Sequence, residues 1–342
     1  MSRMRTELPP HEADYWQPLS GGRVACGLCP HACRLGEGQR GLCRSRVNRG
    51  GRLWADSYGK VCALQADPVE KKPLYHFHPG ARCFSLAAAG CNLACRNCQN
   101  WTLSQAAPDE VDFLPLRPAD VARLAVENGC PLVAYTYTEP LTYFEYTRDC
   151  ARACRSAGLR NVLVTAGYIN EEPLAGLLPC IDAANVDLKS FSDATYRAVS
   201  RARLFPVLRT LEQMRDAGLW VEVTRLLIPG VNDDEASVRE MCRWLAAHGY
   251  ADRPLHFSRF FPQYRLNDRQ PTPIDTLLRA RDVAHECGLR YVYLGNVRLE
   301  GAADTVCPSC GVVLVRREGY RVAAGGFRGT CPHCGAVVPG CF

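Results

Sequence analysis

Eleven of the 20 cysteines in this chain fall into three closely spaced groups, and that spacing constrains the fold more than any other feature. The groups are spaced C-x2-C-x3-C-x9-C, C-x3-C-x2-C and C-x2-C-x20-C-x2-C. We call them the N-terminal set (Cys26, Cys29, Cys33 and Cys43), the central set (Cys91, Cys95 and Cys98) and the C-terminal set (Cys307, Cys310, Cys331 and Cys334). Thiolates grouped in this way typically bind metal ions or metal clusters.

The rest of the sequence favours a cytoplasmic compartment, where such cysteines stay reduced. No run of about 18 uncharged apolar residues is present, so a membrane helix is not expected. The first 14 residues carry five charges and no apolar stretch, which argues against a signal peptide.

The net charge of +6 is concentrated in residues 1–60, which hold ten basic side chains against five acidic ones. Aromatic residues do not alternate with these charges, and no nucleic-acid-binding motif accompanies them. A solvated basic surface is therefore the favoured interpretation, and a nucleic-acid partner is not expected.

Between the central and C-terminal sets, short apolar runs alternate with longer amphipathic segments, as in repeated βα units. The runs that predict strands are 83–89, 132–137, 161–166, 184–188, 220–228, 255–260 and 290–294. The segments that predict helices are 118–128, 141–156, 205–217, 235–248 and 273–287, several of them preceded by proline and followed by glycine. These units predict an α/β fold, a partial TIM-type (β/α)6 barrel with function at the carboxyl ends of its strands.

The central set comes directly after the first predicted strand and has only three cysteines. Three thiolates can hold three irons of a [4Fe–4S] cluster and leave the fourth iron open as a binding position. A zinc ion with a distant fourth ligand is the alternative.

The run AGCNLACRNCQNW (89–101) resembles the cluster loop of radical S-adenosylmethionine (SAM) enzymes. The resemblance implies a [4Fe–4S] cluster whose open iron is chelated by the amino and carboxylate groups of SAM. It also implies reductive cleavage of SAM to a 5′-deoxyadenosyl radical, with the electron supplied by a donor such as flavodoxin or ferredoxin.

Later strand ends supply candidate SAM-binding residues that the resemblance implies. Thr138 and Glu139 occupy the place where relatives carry a Gly-Gly-Glu stretch, and Thr165 ends the third predicted strand. Asp187 and Lys189 resemble the Asp-Leu-Lys of pyruvate formate-lyase activating enzymes, and Lys189 is one of only four lysines beside 37 arginines. A surface salt bridge is the alternative interpretation of this pair.

One position departs from the radical SAM pattern. Relatives usually have an aromatic residue just before the third cluster cysteine, where it packs on the adenine, and here that residue is Asn97. We therefore expect the adenine to stack on Trp101 or Tyr168 instead.

The C-terminal set consists of two Cys-Pro-X-Cys-Gly knuckles, which predict a closed tetrahedral zinc site of structural type. Zinc is favoured there over an auxiliary iron–sulfur cluster. The spacing of the N-terminal set suits zinc and an auxiliary iron–sulfur cluster equally well.

The whole chain resembles the radical SAM component of the AmmeMemoRadiSam system, a relative of pyruvate formate-lyase activating enzymes. The matching stretches are CGLCPHAC (26–33), GLC (41–43), the central loop, YTYTEP (135–140), LIPGVND (227–233), HFSRFFP (256–262), YLGN (293–296) and the terminal knuckles with VPG (338–340). The resemblance implies Memo-like and AMMECR-type partner proteins. It divides the chain into a Cys-rich N-terminal region (1–75), a radical SAM barrel (76–300) and a C-terminal zinc-ribbon-like module (301–342).

These features predict a radical enzyme that abstracts hydrogen from an unidentified small molecule or protein side chain. Glycyl-radical activation is an alternative reaction, and a non-catalytic module with zinc at all three sets is an alternative of another class. On the sixth predicted strand, His256 and Arg259 are candidate catalytic residues. Strand alternation sends them to opposite faces, and we favour Arg259 as the anchor of an anionic substrate.

Overall fold

A computed structural model describes residues 8–342 of the chain. The first seven residues lie outside the described residues. They belong to the predicted N-terminal region 1–75 and to the charged segment that argued against a signal peptide. No helix in the described part of the chain is long and apolar enough to span a membrane.

A nine-stranded sheet forms the centre of the molecule, and seven of its strands run parallel. The strands are β6 (Lys60–Pro68), β7 (Arg82–Ala88), β8 (Leu114–Pro115), β9 (Leu132–Tyr135), β10 (Arg160–Thr165), β11 (Ala183–Asp187), β12 (Trp220–Leu227), β13 (Leu255–Arg259) and β14 (Val292–Gly295). Their order is β14-β13-β12-β11-β10-β9-β7-β6-β8. The predicted α/β fold is confirmed, and β6 and β8 add an antiparallel edge.

Helices connect the parallel strands and cover the outer face of the sheet. They are α1 (Trp101–Ser104), α2 (Pro118–Glu127), α3 (Phe144–Ser156), α4 (Glu171–Leu177), α5 (Asp193–Thr195), α6 (Leu204–Asp216), α7 (Glu235–Leu245) and α8 (Ile274–Glu286). Their apolar side chains form one continuous core with alternate residues of the strands, such as Leu86, Val223 and Phe257. Burial of this apolar surface is the main force that holds the helices on the sheet.

The inner face of the sheet is filled near the amino ends of its strands. The segment 69–77 packs Val69, Leu74 and Phe77 against a second apolar group that includes Leu132 and Ala183, the first residues of β9 and β11. Because these amino ends are covered, the open part of the inner face lies toward the carboxyl ends.

Two small modules flank the central sheet. The N-terminal one contains β1 (Trp16–Leu19), β2 (Arg23–Cys26), β3 (Arg34–Leu35), β4 (Arg46–Arg49) and β5 (Arg52–Ala55), and the C-terminal one contains β15 (Thr305–Val306), β16 (Val313–Glu318) and β17 (Arg321–Ala323). Arg317 of β16 donates to the carbonyl of Tyr75 at 2.7 Å, and Cys341 N donates to the carbonyl of His76 at the same distance. The C-terminal module is thereby attached to the segment that fills the amino end of the sheet.

Candidate active site and metal centres

The loop that carries the central set follows β7 and is held by hydrogen bonds from both sides. The amide of Cys91 donates to the carbonyl of Cys43 at 3.1 Å. On the opposite side, Ala94 N donates to Ser200 O and Arg96 N donates to Val199 O, both at 2.9 Å. The loop is therefore fixed between the N-terminal module and the segment that follows α5.

Each of the three thiols of the central set has a polar neighbour, on the cluster loop, in α1 or in the segment after α5. Leu93 N donates to Cys91 Sγ at 3.3 Å, Cys95 Sγ donates to Ser200 Oγ at 3.3 Å, and Cys98 Sγ lies 3.2 Å from Ser104 Oγ. Burial raises the pKa of Cys91, and the nearby Glu139 carboxylate and Cys95 thiol raise it further. Three thiols with N–H and O–H groups at their sulfurs fit the ligand set of an iron–sulfur cluster.

Glu139 lies at the end of the loop after β9 and is fully enclosed. Its carboxylate accepts hydrogen bonds from Thr165 Oγ1 at 2.6 Å and from the amides of Ala166 and Leu141 at 2.7 and 3.2 Å. Burial raises the pKa of Glu139 despite these hydrogen bonds. The structure thus brings Glu139 and Thr165 together beside the central set.

Asp187 and Lys189 form a pair at the carboxyl end of β11. Lys189 Nζ lies 2.7 Å from Asp187 Oδ2, and both side chains are about one-quarter to one-third exposed, at 26% and 33%. Burial alone would lower the pKa of Lys189, but the Asp187 carboxylate and the Cys95 thiol outweigh it and raise that pKa. A cation beside the central set is therefore available to a negatively charged ligand.

Two residues that the sequence did not predict position the backbone of Lys189. Asn232 donates from Nδ2 to the carbonyl of Lys189 at 2.7 Å, and the hydroxyl of Tyr196 accepts a hydrogen bond from the amide of Lys189 at 3.0 Å. Both side chains line a pocket beside the central set, together with Asn97 and Lys189. Asn232 lies in the stretch LIPGVND that the resemblance had matched, which was the available signal.

Thr138 is buried, and its Oγ1 donates to the carbonyl of Ala88 at 2.6 Å. Tyr137 before it has a left-handed φ of 64°, a conformation that glycine adopts without strain. The Tyr137 hydroxyl donates to Asp67, and the backbone carbonyl of Tyr137 accepts a hydrogen bond from Asn100 Nδ2 at 2.7 Å. These contacts hold a tyrosine in a backbone conformation that favours glycine.

Of the two residues expected to stack on the adenine, Tyr168 is enclosed and Trp101 has one face covered. Trp101 is 40% exposed but stacks on Tyr264 with ring centres 4.9 Å apart. Tyr168 is 2% exposed and packs against His31. Trp101 would need to leave Tyr264, or to accept the adenine on its opposite side.

The structure places Arg259 on the helix-covered side of β13, and its role as the anchor of an anionic substrate stays a prediction. Phe257, two positions earlier, packs in the helix-covered core, so alternation along β13 turns Arg259 to that same side. Its Nε donates to the carbonyl of Thr272 at 2.8 Å, and its guanidinium lies 5.1 Å from the ring centre of Phe261.

His256 is the second residue of β13 and lies toward the amino end of that strand, and its role as a catalytic residue stays a prediction. Its Nε2 lies 2.7 Å from Glu222 Oε2, and its ring packs against Tyr75 and Tyr293. Burial would raise the pKa of Glu222, but the hydrogen bond and charge of His256 outweigh it and lower that pKa. His256 belongs to the packing between β12, β13 and the segment 69–77.

The C-terminal set is the one group of metal-ligating side chains in residues 8–342 that is compact enough for a single ion. Its ligand atoms all lie within 4.8 Å of one another. Cys307 Sγ is 3.6 Å from Cys334 Sγ, and Cys310 Sγ is 3.7 Å from Cys331 Sγ. Tetrahedral Zn–S bonds of about 2.3 Å place sulfurs about 3.8 Å apart, so the set fits one zinc ion.

The N-terminal set lines a single cavity against the cluster loop. Its four cysteines share that cavity with Arg46, His31, Asn92 and Thr142, and the last two belong to the central part of the chain. The cluster loop and the N-terminal set are thus adjacent, although about 50 residues separate Cys43 from Cys91.

Comparisons with known proteins agree with this arrangement. The family model described as the Radical SAM superfamily matches residues 86–242. An uncharacterized protein of Methanocaldococcus jannaschii is 44% identical over 306 residues, which cover 90% of this chain and 91% of that protein. The pyruvate formate-lyase 1-activating enzyme of Escherichia coli is 21% identical over 230 residues, covering 63% of this chain and 93% of that enzyme. The crystal structure of Streptococcus suis SuiB bound to S-adenosylmethionine has a TM-score of 0.50 at 13% identity, covering 67% of this chain and 53% of that one, and therefore shares the fold.

Proposed function

This chain belongs to the radical SAM superfamily, and on that premise we propose that it cleaves SAM reductively and uses the resulting 5′-deoxyadenosyl radical to abstract a hydrogen atom from a substrate. Enzymes of this superfamily bind a [4Fe–4S] cluster and SAM. The substrate is an unidentified small molecule or a protein side chain.

The observation that carries the proposal is the position of the central set at the carboxyl end of β7. Cys91, Cys95 and Cys98 would hold the cluster, which would supply one electron and an open coordination position for the amino and carboxylate groups of SAM. The spacing of this set supplies no fourth cysteine, so one coordination position is left for the methionine part of SAM.

Two neighbouring strand ends complete the proposed SAM site. Lys189, held by Asp187 and by Asn232, offers a fixed cation to the SAM carboxylate, and Asp187 accepts from the amino group or the ribose. Glu139 and Thr165 support the turn after β10, where the carbonyl of Tyr168 accepts a hydrogen bond from Asn92 of the cluster loop at 2.7 Å. The closed amino end of the sheet keeps water from entering on the far side, which protects a radical from quenching.

The remaining parts of the proposal concern partners and surroundings. The electron comes from a low-potential donor such as flavodoxin or ferredoxin, in the cytoplasm. Memo-like and AMMECR-type proteins are the proposed partners, on the resemblance to the AmmeMemoRadiSam system.

Glycyl-radical activation is the second candidate reaction, and the match to pyruvate formate-lyase 1-activating enzyme favours it. That match covers 63% of this chain and 93% of that enzyme. A non-catalytic zinc module is disfavoured because, within residues 8–342, only the C-terminal set has its thiols at single-ion spacing.

The test is the triple variant Cys91→Ala/Cys95→Ala/Cys98→Ala after anaerobic reconstitution with iron and sulfide. We expect no 5′-deoxyadenosine from SAM after dithionite reduction, because each substitution removes a cluster ligand. The matched control is Cys287→Ala, outside all three sets, which should retain cleavage. Formation of 5′-deoxyadenosine by the triple variant would refute the proposal.

A further inference from the structure

We propose that the N-terminal set binds an iron–sulfur cluster, and that this cluster passes electrons to the one held by the central set. The second part rests on the proposed function, because it needs a catalytic cluster to receive the electron. The first part does not.

For the N-terminal set the sequence left two alternatives open, a zinc ion and an iron–sulfur cluster. The distances between the sulfurs distinguish them. The C-terminal set has the sulfur-to-sulfur distances of a single tetrahedral ion, 3.6 and 3.7 Å. Within residues 8–342 no second group of three or more such ligands is gathered as tightly. Neither the N-terminal set nor the central set is at this single-ion spacing, and the four thiols of the N-terminal set line one cavity. Four thiols around such a space are the ligands of an iron–sulfur cluster.

The surroundings of the N-terminal set suit a negatively charged cluster. Arg46 lines the cavity with 1% of its side chain exposed, and its Nη1 donates to Cys26 Sγ at 3.8 Å. Its charge is balanced by Glu145, with which it forms an ion pair. A buried cation that donates to a ligand sulfur stabilises the added negative charge of a reduced cluster, and so favours electron uptake.

The two cysteine sets are joined by one hydrogen bond. The carbonyl of Cys43 accepts from the amide of Cys91 at 3.1 Å, so a proposed ligand of each cluster contributes one end of the contact. A second contact joins His31 Nε2 to the carbonyl of Asn92 at 2.7 Å. Gly90 permits this approach, because a Cβ there would lie 2.4 Å from the carbonyl oxygen of Cys43. An electron can cross from one set to the other through the bonds of two cysteines and a single hydrogen bond.

Four cysteine ligands leave no iron open, so the N-terminal cluster carries electrons and does not bind substrate. A one-electron donor of low potential, such as a reduced flavodoxin, loses one electron and the N-terminal cluster gains it. That cluster is then reoxidised as the central cluster is reduced, and no bond forms or breaks. Leu42, 59% exposed and beside Cys43, lies on the wall of the same cavity, so the set is close to the surface where a donor arrives.

The first experiment leaves the N-terminal set unaltered. The triple variant of the central set is reconstituted anaerobically and analysed for iron, sulfide and zinc, with electron paramagnetic resonance (EPR) spectra after reduction. We expect iron and sulfide in equal amounts, at least about two of each per chain, and an EPR signal that SAM does not change. Further substitution of Cys29→Ala and Cys33→Ala should remove that iron. Two zinc ions and no iron in the triple variant would overturn the proposal, while SAM cleavage by the unmodified protein would leave the proposed function standing.

The second experiment tests the transfer of electrons. In freeze-quenched mixtures of the unmodified protein with reduced flavodoxin, the EPR signal of the N-terminal cluster should appear before the SAM-sensitive signal. In Cys29→Ala/Cys33→Ala, the ratio of flavodoxin-driven to dithionite-driven reduction of the central cluster should fall at least about tenfold, and Cys287→Ala should keep the ratio of the unmodified protein. Simultaneous appearance of both signals, or an unchanged ratio, would overturn the relay.

Discussion

The ion pair between Arg46 and Glu145 offers the sharpest test of how the N-terminal module is attached to the barrel. Arg46 lies in β4 and Glu145 in the first turn of α3, and their side chains are 1% and 0% exposed. Glu145 also accepts a hydrogen bond from the amide of Asp14, and Arg46 donates to the carbonyl of the same residue, each at 2.7 Å. Loss of either charge leaves the other buried and unpaired.

The expected cost follows from that burial. Removing one partner of a buried ion pair costs about 3–5 kcal/mol, because the remaining charge has no counter-ion and no access to water. We therefore expect Glu145→Gln and Arg46→Met each to lower the free energy of unfolding by about 3 kcal/mol. The double variant Arg46→Met/Glu145→Gln should lose less than the sum of the two single variants by at least about 2 kcal/mol, since it leaves no buried charge.

The measurement is urea unfolding of the four proteins, reconstituted under the same anaerobic conditions with their iron and zinc contents matched. Matching the metals is necessary because Arg46 also touches Cys26, and metal loss by itself would lower the stability. The control is Arg52→Met, whose partner Glu12 is 35% exposed and whose own side chain is 59% exposed, and which should cost under about 1 kcal/mol. Additivity of the Arg46 and Glu145 effects within about 0.5 kcal/mol would refute the reasoning.

Further predictions concern the remaining sites. Lys189→Ala and Asp187→Asn should each weaken SAM binding about ten- to hundred-fold in calorimetric titration, because each removes a charge-assisted hydrogen bond of about 1.5–3 kcal/mol. Unchanged affinity would mean that the pair is a structural salt bridge. Gly90→Ala should lower the iron content of the N-terminal set, because φ is 101° and the added Cβ meets Cys43 O. Cys334→Ser should release the one zinc ion expected per chain, measured by a chelating dye, without loss of iron. Burial lowers the pKa of His76 to about 4, so the imidazole binds a proton at higher pH in the unfolded chain than in the folded chain. The free energy of unfolding should therefore fall by about 3 kcal/mol as the pH falls from 6.5 to 4. His76→Gln should flatten that part of the urea-derived stability profile, and an unchanged slope would contradict the assignment.

Hydrophobic patterning was sufficient for the parallel part of the sheet. The apolar runs predicted all seven parallel strands within a few residues, because strands covered on both faces have continuous apolar sequences. Proline and glycine predicted the bounds of α2 almost to the residue, since proline fits the first helical turn and glycine follows the last. β6 was missed because its sequence KVCALQADP lies at the sheet edge and mixes polar with apolar residues.

Cysteine spacing predicted which thiols group together but not how far apart their sulfurs lie. The N-terminal and C-terminal sets both begin with C-x2-C, yet only the C-terminal set closes to single-ion distances among the described residues. That difference depends on what fills the space between the thiols, and for the N-terminal set the wall includes Asn92 and Thr142 from distant parts of the chain. No local pattern contains this information, because packing between distant segments determines it.

The positions of His256 and Lys189 show a second limit of sequence patterning. Alternation along a strand assigns the face of a residue but not its height in the barrel. His256 is the second residue of β13 and pairs in register with Thr224, so it lies toward the filled amino end. Lys189 comes two residues after β11 ends, and Glu139 comes four residues after β9 ends, so both lie beside the central set. Because parallel strands bring chemistry together at their carboxyl ends, polar residues in such a chain are better ranked by their distance past the last strand residue than by the face they occupy.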